Sequence, residues 1–328
     1  MLSIVAFLFF YFPSIVLSQN VSTFQKLDLP SNSAGPESLA FNFLGRGFYT
    51  GISDGRIVKY DGSKFSDAYI TSPKRTSLVC DGTNNPALLG PICGRPQGLG
   101  FYYKENLLYV ADAYLGLRVV GANERLARSL ATSAEGVPFK YPDGLDVDQR
   151  TGDVYFTDAS AIFQMSEIQL AVLANDTTGR LLKYNQKTQQ VTVLQRKLGG
   201  AAGVAINSDS SYVLVTEFIA QRIQKFWLRG PKAFTSQVIV TFQGRPDNIK
   251  RTTVGDFFWV AVNIQRPLGV TVPTAIKIDG NGVILRSLPL DEYYSHTTIS
   301  EVQQRGSELY IGSMMADFVG LLKYNYTI

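Results

Sequence analysis

Few residues in this chain can do chemistry, and their types narrow the options. The 328 residues include one histidine, His296, and two cysteines, Cys80 and Cys93. A zinc site of mixed Cys/His ligands, or any centre built on several histidines, is therefore excluded. Carboxyl, amide and hydroxyl groups remain. Glu37 in GPESLAFN, Gln97 in GRPQGLGF, Asp143 in YPDGLDV, Asp247 and Asn248 in GRPDNIKR, and Ser300 and Glu301 in TTISEVQQ recur in one setting. Each follows a turn and opens an apolar run. Such side chains can move protons or bind polar groups. Asp and Asn also cap tight turns, so Asp143, Asp247 and Asn248 admit a purely local role.

Other residues read as structural. Gly51-Ile52-Ser53-Asp54-Gly55 spells G-x-S-x-G, but a nucleophile elbow needs a following helix and a histidine in reach. Here RIVKY follows, which is another strand, so a hairpin turn is expected. His296, in YYSHTTIS, lies where it could line a channel mouth or simply sit on a surface loop. Asp112, Asp158 and Glu217 end comparable strands and are expected to bond backbone amides of the next turn. Trp227 and Trp259 fall in apolar strands and are expected in the core.

A repeat must position these groups. Related segments begin at Pro36, Pro96, Pro142, Ala201, Pro246 and Ile299. They start roughly 45 to 60 residues apart, the spacing of a repeated all-β unit such as a propeller blade. Roughly 52 residues per copy accommodates four short strands and their turns. Turn signals such as Asp54-Gly55, Asp61-Gly62 and Asp279-Gly280 separate apolar or alternating runs. Ser166 to Ala174 reads as one short inserted helix with Ser166 as its cap. A β-sandwich is the rival architecture, but it does not call for six equivalent copies. The expectation is an all-β six-bladed propeller with a central channel. The polar residues that open each copy, with Ala202 in the fourth, should meet at one mouth of that channel.

Composition agrees with a large folded core: 45% hydrophobic and 18% charged residues. The formal net charge of +4 is spread along the chain, which argues against a nucleic-acid partner, since that needs a concentrated basic face. Residues Met1 to Ser18 read as a signal peptide cleaved after Ser18, with Val16 and Ser18 at the small positions before the cut. Residues 19–328 are then one domain with no transmembrane span. Asn20, Asn175 and Asn325 begin glycosylation sequons. In an oxidising compartment Cys80 and Cys93 should close one disulfide.

The strings GRPQGLGF, VPFKYPDGLDVDQRTGDVYFTD, GRLLKYNQKT, YVLVTEF, GRPDNIKR and ISEVQQ with LYIGS together resemble the strictosidine synthase-like proteins. The resemblance covers nearly the whole mature chain. It implies a six-bladed propeller, a vacuolar or extracellular home, a link to specialised metabolism, and a small organic ligand or substrate in the channel. Strictosidine synthase itself condenses tryptamine with the aldehyde secologanin, using one glutamate at the start of the last blade. That position is Ser300 here, and Glu301 is a carboxylate one residue late. A one-residue step along a strand turns a side chain to the other face, so the condensation is not expected unless Glu301 serves. The fold also resembles paraoxonases and gluconolactonases, which hydrolyse esters or lactones at a calcium ion. That likeness implies Glu37, Asp143, Asp247 and Asn248 as calcium ligands, with Ala202 standing where a fourth-blade asparagine is expected. A binding protein that kept the propeller without the catalysis is the third reading.

Overall fold

The computed structural model describes residues 21–43, 47–83 and 86–324. Six four-stranded antiparallel sheets form a six-bladed propeller. Blade 1 runs through Leu39–Ala40, Phe48–Gly51, Arg56–Tyr60 and Phe65–Ile70. The innermost strands of the next four blades are Pro96–Tyr102, Pro142–Val147, Ala201–Ile206 and Gly244–Arg251. Each later strand of a blade pairs outward with its predecessor. Blade 6 is composite. Glu301–Arg305, Glu308–Gly312 and Phe318–Tyr324 supply three strands, and Val21–Asp28 supplies the outermost. The first described strand thus completes the last blade, joining the two ends of the described chain in one sheet. Repeat reading gave Val21–Asp28 no role, because one strand alone carries no repeat.

The glycine of the recurring Gly-Leu pair has a steric cause. Inner strands of adjacent blades converge so closely that a Cβ on Gly98 would lie 2.3 Å from the Asp143 carbonyl oxygen, and one on Gly144 would lie 2.6 Å from that of Ala202. The leucines turn outward into interblade cores. Between blades 2 and 3, for example, Leu117, Leu145, Phe156 and Leu182 are fully buried together, at about 1.5–3 kcal/mol for each large side chain. Hydroxyls pin adjacent blades. Thr157 donates to the Ala202 carbonyl, and Thr216 to that of Asp247 at 2.6 Å.

Two insertions rise over the mouth where the inner strands begin. Cys80 and Cys93 are bonded, 5.7 Å apart at Cα, and tie the short helix Ser77–Cys80 to the helix Pro86–Cys93. The other insertion is a 3₁₀ turn, Met165–Glu167, leading into the helix Ile168–Leu173. Its cap differs from expectation: Gln164 and Glu167 form a reciprocal capping box, and Ser166 lies inside the turn. Asn175 is exposed just past this helix. Residues 1–18, Asn20 and Asn325 lie outside the described residues. No helix among those described is long and apolar enough to cross a membrane. Trp259 is buried as expected and donates to Gln304. Trp227 is only half-buried, with the Lys232 ammonium 4.8 Å from its ring centre.

Candidate functional site

At the mouth lies a cavity of about 520 Å³, lined by inner-strand residues below and insertion residues above. Its polar floor holds Arg95, Tyr141, Asp143, Asp247 and Asn263; Met165, Ile168, Val172, Phe218 and Met314 are its apolar walls. Leu89, Gly90 and Cys93 bring the disulfide loop to the rim. The repeated acids position this floor through backbone. Asp112 accepts from the amides of Arg95, Tyr114 and Leu115 at 2.9–3.0 Å. Asp158 accepts from Tyr141 N at 2.8 Å, and Glu217 from Gly199 N at 2.6 Å. Carboxylates that gather several amide donors lock the turns carrying the cavity residues.

Of the residues that open the blades, Asp143, Ala202 and Asp247 line this cavity, whereas Glu37, Gln97 and Asn248, also expected there, do not. Glu37, Gln97, Asp143, Asp247 and Asn248 are all buried. Asn248 Nδ2 donates to Glu37 Oε1 at 3.2 Å, while Glu37 Oε2 has no partner among the described residues. Gln97 Nε2 reaches Met165 Sδ at 3.1 Å, and its Oε1 is likewise unpartnered.

Crowded, desolvated acids resist ionisation. Burial, then the Asp143 charge, pushes the Glu37 carboxyl up to about 8, with Arg95 pulling the other way. Burial carries Asp143 up to about 7 against the pull of Arg95. Asp247 is raised well above the carboxylate range by burial and by the Glu37 and Asp143 charges. Burial also raises the Tyr141 phenol. Burial and mutual repulsion thus favour the protonated form of these carboxyls.

Ser300 and Glu301 part company. Ser300 Oγ donates to the Glu37 carbonyl at 2.7 Å, the same blade-to-blade duty that Thr157 and Thr216 perform. The Glu301 carboxylate turns elsewhere: Oε1 accepts from Leu39 N at 2.7 Å, and Oε2 lies 3.4 Å from Lys250 Nζ. Lys250 also approaches the Leu99 and Leu145 carbonyls at 3.5 Å, so its ammonium sits among inner strands of four blades. Burial raises Glu301 to about 7, with Lys250 opposing. Glu301 and His296 do not line the cavity, and His296 is exposed on the loop before Glu301. Ser53 does line it, but in a hairpin turn, where its hydroxyl donates to the Thr83 carbonyl.

The four residues expected to hold calcium share one end of the channel, yet the donor set does not fit the ion. Among the described residues no three acidic, histidine or cysteine side chains converge closely enough to hold a metal. Ala202 offers no side-chain oxygen, and Asn248 turns its amide nitrogen to Glu37.

Sequence reading missed Arg95, Tyr141, Arg245, Phe218 and the methionines. Arg95 and Arg245 did carry a signal: both stand in Gly-Arg-Pro, one residue before the inner strand's proline, in blades 2 and 5. Met165, Phe218 and Met314 come from unlike loops, and no repeat marks them.

Three comparisons bear on this geometry. A family model described as strictosidine synthase matches residues 143–231. Strictosidine synthase-like protein 12 of Arabidopsis thaliana is 44% identical over 312 residues, covering 94% of this chain and 92% of that one. Strictosidine synthase of Catharanthus roseus is 39% identical over 308 residues, covering 92% and 87%. Among solved structures, a gluconolactonase of Xanthomonas campestris superposes with a TM-score of 0.67 at 15% identity, covering 92% of this chain and 89% of that one. A luciferin-regenerating enzyme superposes at 0.62 with 13% identity, covering 92% and 95%. The last two show the shared propeller alone. With the first two relatives matching over almost their entire length, the chain belongs to the strictosidine synthase-like family.

Proposed function

We propose that this protein binds a small organic molecule at the propeller mouth and acts on it by proton transfer, without the strictosidine condensation and without calcium. The observation that carries the reading is the pair of buried carboxyls, Asp143 and Asp247, facing a cavity of about 520 Å³ with apolar walls. A carboxyl titrating near 7 is matched to acid–base work at neutral pH. The residue at the synthase's glutamate position, Ser300, is committed to a backbone carbonyl, and Glu301 faces Lys250 instead of the cavity. The disulfide and the family are compatible with a secretory-pathway home, and we assign the protein to the vacuole or cell exterior.

The test is a turnover panel of aryl esters, lactones and amine–aldehyde pairs, the last including tryptamine with secologanin. Wild type is compared with Asp143→Asn, with and without chelator. The expected result is turnover that survives chelation and falls about 10²–10⁴-fold in Asp143→Asn, with no strictosidine formed. Full activity in Asp143→Asn, or activity abolished by chelation, refutes the reading.

A further inference from the structure

Among the described residues, the two fully buried guanidinium groups other than that of Arg95 are ion-paired. Arg56 meets Asp54 at 2.6 Å and Asp67 at 3.0 Å, and Arg180 meets Asp158. Arg222, itself only partly buried, meets Glu217 at 2.6 Å. Arg95 is the exception. It is 3% exposed, yet among the described residues its side chain makes one hydrogen bond, from Nη1 to the Gly35 carbonyl at 2.9 Å. No carboxylate among the described residues comes within ion-pair distance of it. Space has been cleared for the group: a Cβ on Gly35 would lie 2.7 Å from Arg95 Nη2, and φ there is +75°.

Arg245 repeats the pattern. It occupies the equivalent place in blade 5, three blades away, and so on the opposite side of a six-membered ring. Its guanidinium lies 5.1 Å from the centre of the Phe218 ring. The side chain has no hydrogen bond or ion pair among the described residues. Burial weakens the hold of both guanidinium groups on their protons, and for Arg95 it outweighs the opposing pull of the nearby Glu37 and Asp112 charges. Both line the cavity.

A guanidinium carries five N–H donors in a planar fork. Withdrawn from water without a hydrogen-bonded carboxylate, it keeps part of its desolvation cost. A bound carboxylate would remove that cost, since it accepts two parallel hydrogen bonds from one guanidinium. Asp143 and Asp247 share the cavity but do not reach either arginine. Given the reading above that the cavity is the ligand site, we infer that Arg95, with Arg245 across the channel, takes an anionic oxygen group of the ligand. The ligand is an organic acid whose apolar body lies against Met165, Ile168 and Phe218.

The test titrates the intact protein by calorimetry at pH 6 with phenylacetate, phenylacetamide and phenethylamine, one apolar body with an anionic, a neutral and a cationic head. Phenylacetate should bind roughly tenfold or more tighter than the other two. Arg95→Gln should weaken phenylacetate by roughly tenfold to a hundredfold, Arg245→Gln by less, and phenylacetamide should change little in either. Arg245 is only partly buried, so its variant carries the test if Arg95→Gln does not fold. Preference for phenethylamine, or phenylacetate binding indifferent to both substitutions, overturns the inference. So does failure of all three probes, and the Asp143→Asn turnover comparison then decides the cavity reading separately.

Discussion

Asp143 gives the sharpest test of the electrostatic account. Its carboxyl is carried from the ordinary 3.8 to about 7 in the folded protein. The folded state therefore binds that proton more tightly than the unfolded state does. Stability falls as pH rises from about 4 to about 7, where the unfolded chain has released the proton and the folded chain has not. Above about 7 the cost is fully expressed, on the order of 4 kcal/mol; at pH 4.5 it is about 1 kcal/mol. Asp143→Asn removes the ionisable group and keeps the shape. It also relieves Glu37, for which the Asp143 charge is the second cause of the upward shift. Urea unfolding of wild type and variant at pH 4.5 and 8.5 reads the difference directly. The variant should gain about 3 kcal/mol or more relative to wild type between the two conditions, and be the more stable protein at pH 8.5. A stability difference that ignores pH, or a variant weaker than wild type at pH 8.5, would refute the claim that these acids are crowded and desolvated. The expected trade is lost turnover for gained stability, the usual signature of a strained functional group.

Other perturbations probe the frame around the site. Lys250→Met should cost about 3–5 kcal/mol in urea unfolding at pH 8.5, because it strands the buried Glu301 carboxylate. The double variant Lys250→Met, Glu301→Gln should recover most of that loss, and equal losses in the single and double variants would contradict the pairing. Replacing both Cys80 and Cys93 by serine should lower stability by about 2–4 kcal/mol. It should also weaken ligand binding, since Leu89, Gly90 and Cys93 line the cavity; unchanged affinity would remove the loop from the site. Gly98→Ala should destabilise by about 1–3 kcal/mol or more through the clash with the Asp143 carbonyl, and thermal unfolding at the wild-type midpoint would count against the close approach of blades 2 and 3.

The sequence alone determined the number of blades, because each turn–strand–turn unit repeats the same local grammar. It also determined which residues open each blade, because Glu37, Gln97, Asp143, Asp247 and Ser300 hold one place in that grammar. The disulfide was legible from two cysteines in one polar loop. The cavity was not. Met165 and Phe218 are distant in the chain and alike in no pattern, and only the closed ring brings them to one wall. Nor could spacing show that Ser300 donates to the Glu37 carbonyl and Glu301 turns to Lys250, since these contacts join blade 6 to its neighbours across the ring. The same holds for Arg95. Its place in Gly-Arg-Pro is written in the chain, but whether a charge has a partner depends on what the other blades set beside it. Periodicity reports on the strand that carries it, whereas burial and pairing are properties of the assembled ring.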